Sequence, residues 1–185
     1  MARRLVLLTI TLFCTSCATS LFKVKPVTEL PPLPAATRST EAGEVTVRVA
    51  PLLSDEESQE LFEANLQVSG VLPVRMELES KTLIELKKAR FRLRDNQGRE
   101  WKLLKSKDAV SAITKANGFF LYNPNSKKQF EKEFGSYGLD IKTPLESRRS
   151  GFLFFRTPDK RPVSNAQQLT LTVERLPQTA TIIIN

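Results

Sequence analysis

Hydrophobic and polar positions alternate in short runs along most of the chain beyond residue 43. Val45, Val47 and Val49 alternate with Thr46, Arg48 and Ala50 until Pro51 ends the run, which is the period of a half-buried β-strand. Ser54-Asp-Glu-Glu57 has the form of a capping box with acidic residues at a helix N-terminus, so a short helix is predicted over 54–64. Alternation resumes after Gly70: Val74, Met76 and Leu78 share one face, and Arg75, Glu77 and Glu79 share the other. A turn is expected near Ser80 to Thr82, then a third strand over 84–94 with Ala89, Phe91 and Leu93 inward. Asp95-Asn-Gln-Gly98 supplies turn chemistry before a fourth strand around Trp101.

Between Ser106 and about Gly138 the period lengthens. Val110 and Ile113 stand one helical turn apart, and Asn117-Gly118 is a helix stop. Ser126-Lys-Lys-Gln129 is a second capping box, and Phe130 with Phe134 forms an i, i+4 apolar pair closed by Gly135. Strands return at Phe152–Phe155, at Gln168–Arg175 with Leu169, Leu171 and Val173 on one face, and at Thr179–Ile184. About seven strands separated by turn signals predict a mainly β fold, an antiparallel β-sandwich with a two-helix insertion.

The N-terminus reads differently. Arg3 and Arg4 precede an apolar run from Leu5 to Phe13 and then the small residues of Cys14-Thr-Ser-Cys17. The run is far shorter than the roughly 20 residues of a spanning helix, so it reads as an export signal over 1–16. Cys14-Thr-Ser-Cys17 resembles the lipobox of bacterial lipoproteins, with Cys14 where an aliphatic residue is usual. That resemblance implies acylation of Cys17, stable membrane anchoring through more than one acyl chain and, because Ala18 rather than Asp follows, sorting to the outer membrane. An ordinary signal peptide cut near Ala18 to Ser20 and an uncleaved helix with incidental cysteines are the alternatives. Cysteine arithmetic favours the lipobox, since Cys14 then leaves with the signal and no thiol remains to mispair in an oxidising compartment.

From Cys17 to residue 43 the chain is rich in Thr, Ala, Ser and Pro. Pro26, Pro31, Pro32 and Pro34 predict a semi-rigid, extended tether, with the folded domain spanning 44–185. The run Leu72–Leu86 followed by Phe91-Arg-Leu-Arg-Asp-Asn-Gln-Gly98 looks like the immunoglobulin-like domains of bacterial envelope lipoproteins. That resemblance implies a β-sandwich and leaves function open.

Charge adds one feature. Lys88, Arg90, Arg92 and Arg94 alternate with apolar residues, so a strand there projects a basic stripe at intervals of about 7 Å. Such a stripe suits lipid headgroups, polysaccharide phosphates or an acidic protein surface. The plainer alternative is a solvated face whose cations pair across the sheet with Glu77 and Glu79. The net charge of +8, reduced by two when Arg3 and Arg4 leave with the signal, favours an anionic partner; nucleic acid is not expected of an exported, anchored chain. Phe119-Phe-Leu-Tyr122 and Phe152-Leu-Phe-Phe155 are expected mostly in the core, and exposure of Phe119 or Tyr122 would make an apolar docking patch.

The chain has no histidine, which removes the commonest general base and metal ligand, and no cofactor or metal is expected. Nucleotide-binding and hydrolase motifs are lacking, and the one Ser-x-x-Lys, Ser20–Lys23, sits in the tether where nothing holds a nucleophile in place. The expectation is a non-catalytic binding or assembly module for another envelope protein. Binding of an anionic envelope component through the stripe is the second reading, and a carbohydrate-active enzyme using paired carboxylates is the third.

Overall fold

In a computed structural model of the protein, describing residues 29–34, 37–116, 124–163 and 168–184, the alternating runs form antiparallel strands. They are β1 (Arg38–Ala42), β2 (Val45–Pro51), β3 (Val71–Ser80), β4 (Arg90–Arg94), β5 (Glu100–Leu104), β6 (Arg148–Arg156), β7 (Thr170–Glu174) and β8 (Ala180–Ile183). They belong to one eight-stranded sheet in the order β1-β2-β3-β6-β5-β4-β7-β8, and β1 and β8 lie side by side, so the sheet nearly closes.

Seven strands follow the predicted runs. The eighth, β1, falls inside the expected tether, so folded structure starts before Glu44. Its sequence Arg-Ser-Thr-Glu-Ala carries no apolar alternation, and β2 holds it through a register running from Arg38 opposite Val49 to Ala42 opposite Val45. The described part of the Pro-rich stretch, residues 29–34, also touches the domain. Leu30 packs on the core beneath the helices, and the Pro31 carbonyl accepts a hydrogen bond from Arg75 Nη1 at 2.5 Å.

Alternation sorts side chains to two sides of the curved sheet. Val47, Met76, Leu93, Leu171 and Val173 are fully buried in a shared interior, each contributing about 1.5–3 kcal/mol of burial. Among the described residues the outer side is covered over β3, β6 and the end of β5, by α1 (Asp55–Phe62), α2 (Ser106–Ala116) and α3 (Pro124–Ser136). As the capping box predicts, Ser54 Oγ accepts from the Glu57 N–H at 3.1 Å ahead of α1. α3 starts two residues before the predicted Ser126 cap, at Pro124, where proline's fixed φ suits a first turn and its missing N–H costs no bond.

α1 and α3 deliver Phe62 and Phe134, and the turn after α3 delivers Tyr137, onto the outward-facing Phe152 and Phe154 of β6. Phe62 is the hub, with ring centroids 5.3–6.0 Å from Phe134, Tyr137, Phe152 and Phe154. The core expectation for Phe152–Phe155 therefore holds, on both sides of β6. Burial raises the Tyr137 hydroxyl to a pKa of about 12, with the Glu29 carboxylate adding to the effect. Among the described residues no helix is long and apolar enough to cross a membrane.

Candidate functional site

The structure puts the predicted basic stripe on a shorter element. Ile84 pairs with Leu145 through two backbone hydrogen bonds of 3.0 and 2.8 Å, and a turn closed by the Ala89 N–H on the Leu86 carbonyl follows. Only then does β4 begin. Residues 84–94 are thus not one strand, because the two halves pair with different partners. Lys88 belongs to the turn, and Arg90, Arg92 and Arg94 alone project outward from β4.

The expected pairing with Glu77 and Glu79 does not form, because β6 and β5 stand between β3 and β4. The neighbours are instead β5 and β7. Register places Glu100, Arg94, Thr170 and Ile183 in one row across β5, β4, β7 and β8, with Arg92, Thr172 and Thr181 in the next and Arg90 opposite Glu174 beyond. Ile183 is 62% exposed at the edge of this face. The ion pairs here are loose: Arg92 Nε lies 3.5 Å from Glu174 and Arg94 Nη2 lies 3.7 Å from Glu100, beyond the roughly 2.7–2.9 Å of a charge-assisted hydrogen bond. Arg90 and Lys88 form no ion pair among the described residues.

Glu77 has a different environment. On the outer side of β3 it is only 5% exposed, held by Arg48 Nη1 at 2.7 Å from β2 and by Arg148 Nη2 at 2.5 Å from β6. Arg48 also reaches Glu79 at 2.8 Å. Burial opposes ionisation of Glu77, but hydrogen bonds and charge from Arg148 and Arg48 outweigh it and hold the carboxyl below its ordinary value. Arg75, buried beside it, is pulled downward by desolvation, with the Glu77 charge opposing.

A second feature arises where β5 changes partner. Trp101 and Glu100 pair with β4, whereas Lys102, Leu103 and Leu104 pair with β6, so β4 and β5 part beyond Trp101. The segment 137–139 enters the gap and pairs with Phe152, the Leu139 N–H donating to its carbonyl at 3.0 Å. Gly151 permits this approach, since a Cβ there would stand 2.6 Å from Leu139 Cα. The remaining opening is a cleft of about 660 Å³, walled by Phe91, Leu103, Leu139, Ile141 and Phe154 and bordered by Lys105, Ser106 and Lys142.

Cys17, Phe119 and Tyr122 lie outside the described residues. Sequence reasoning missed Ile183, although the alternation of Thr179–Ile184 already put it opposite the buried Ile182. It also missed the cleft, for which local sequence carries no signal because it depends on which strand β5 joins. No protein-family model matches this chain, and neither curated proteins nor solved structures give a significant match.

Proposed function

We propose that this protein is a lipid-anchored module of the cell envelope, held at the outer membrane through acylated Cys17, that docks on an acidic surface of another envelope protein without catalysing a reaction. The anchoring half rests on the lipobox-like Cys14–Cys17 sequence. The docking half is carried by one observation: the wall of the sheet opposite the described helices bears a register-aligned face of Arg90, Arg92 and Arg94 whose ion pairs, among the described residues, are long or lacking. Glu100 and Glu174 interrupt the positive field, and Ile183 adds an apolar anchor. A mixed pattern of this kind fits a protein partner of complementary pattern better than a uniform polyanion, because each interleaved carboxylate repels the latter.

The immunoglobulin-like reading belongs with this proposal. β5 joins a five-stranded half (β1, β2, β3, β6, β5) to a four-stranded half (β5, β4, β7, β8), and both bury residues in one interior, which supports a sandwich-like description.

The test is a pull-down of the full chain from solubilised envelope of the producing organism, beside an Arg90→Glu/Arg92→Glu/Arg94→Glu variant. The expected result is an acidic protein held by the native chain, released by rising salt and absent from the variant. A partner held equally by both would contradict the arginine face as the site. A second reading has its own support, since Lys88 and Arg90 form no ion pair among the described residues and suit a phosphate. Capture of lipid or polysaccharide in place of protein would favour it.

A further inference from the structure

We propose that the cleft opened by the partner switch of β5 is a binding site for a long-chain fatty acid, independent of the arginine face. Its walls supply the chemistry for an acyl chain. Phe91, Leu103, Leu139 and Ile141 present apolar surface from three separate elements, and Leu103 is one of the few large hydrophobic side chains left exposed among the described residues, at 37%. The volume of about 660 Å³ falls in the range of small-molecule sites, which are mostly apolar with a few polar groups that fix orientation.

The polar groups at the border select the head of the ligand. Among the described residues Lys105 and Lys142 are the charged ones lining the cleft, and no carboxylate lines it. Neither lysine forms an ion pair among the described residues. The nearby acid, Asp140, is already engaged: its carboxylate accepts from the Lys142 N–H at 2.9 Å and from the Thr143 hydroxyl at 2.6 Å. Ser106 adds a hydroxyl at the start of α2. An apolar trough lined by two cations and, among the described residues, by no anion fits a chain ending in a carboxylate and disfavours a neutral or cationic head.

The pairing pattern keeps the cleft open: β5 pairs with β4 only at Glu100 and Trp101 and with β6 only from Lys102 to Leu104, and the segment at Leu139 bonds to β6 at Phe152.

Photo-crosslinking of the full chain with a diazirine-bearing palmitate analogue tests the assignment, with labelled positions mapped by mass spectrometry. Labelling is expected within 102–106 and 138–142, to be displaced by palmitate, and to be lost in Leu103→Trp, which fills the trough. Lys105→Glu with Lys142→Glu, both at exposed positions, should raise the palmitate needed for displacement by at least about tenfold. Hexadecanol should displace poorly from the native chain. Absence of cleft labelling overturns the proposal, as does equal displacement by hexadecanol and palmitate with no effect of the lysine changes. Labelling that appears only after Cys17→Ser would make the chain's own anchor the occupant and would equally overturn a free fatty acid as the ligand.

Discussion

The two walls of one sheet use arginine in opposite ways. On the helix-covered side, Arg48 and Arg148 reach from β2 and β6 to the same buried carboxylate, Glu77, at 2.7 and 2.5 Å. On the bare side, Arg92 and Arg94 meet half-exposed acids at 3.5 and 3.7 Å, and Arg90 meets none among the described residues. The difference lies in what each carboxylate loses on folding. A buried Glu77 without its arginines would be an uncompensated charge, so its partners are fixed by the fold. Solvated Glu100 and Glu174 lose little when their arginines swing away, which leaves the β4 arginines free for a partner.

The sharpest break in that comparison is in the covered wall itself. Phe62→Ala should remove the hub of the aromatic cluster and cost about 3–5 kcal/mol, read as a lowered midpoint in urea unfolding. Gly151→Ala should come next at about 1–3 kcal/mol, because the added Cβ meets the Leu139 backbone rather than a side chain that can yield.

Glu77→Gln is expected to cost about 1–3 kcal/mol at neutral pH by leaving buried partners badly matched. Its pH dependence is diagnostic. The folded carboxyl titrates below its ordinary value of 4.5, so its contribution is present above that pH and is lost as pH falls through the folded value. Thermal melts between pH 6 and 3 should therefore fall more steeply for the native chain than for Glu77→Gln. The smallest effect belongs to the bare wall, where changing Arg90, Arg92 or Arg94 singly to Ala should alter stability by within about 0.5 kcal/mol in the same melts.

Much of this was legible from local pattern. Val45–Val49 and Leu169–Val173 declare strands by period two, and Ser54 with Glu57 marks the start of α1 within a residue. What local pattern does not carry is pairing. Glu77 looks like any solvent-facing strand residue until β6, 71 residues away at Arg148, closes over it. β1 escapes because an edge strand of Arg-Ser-Thr-Glu-Ala is held by backbone bonds and not by apolar alternation. Lys88 looks continuous with β4 because alternation persists through a turn at which the backbone changes partner.

One paired measurement tests the proposed division of labour, in which the bare arginine face docks a partner while the covered one holds the fold. The Arg90→Glu/Arg92→Glu/Arg94→Glu chain is compared with the native chain for its melting curve and for salt-dependent capture of an acidic envelope protein. The expected result is a melting temperature within a few degrees of the native one, together with loss of capture. A variant that still captures the same protein at the same salt concentration would contradict it.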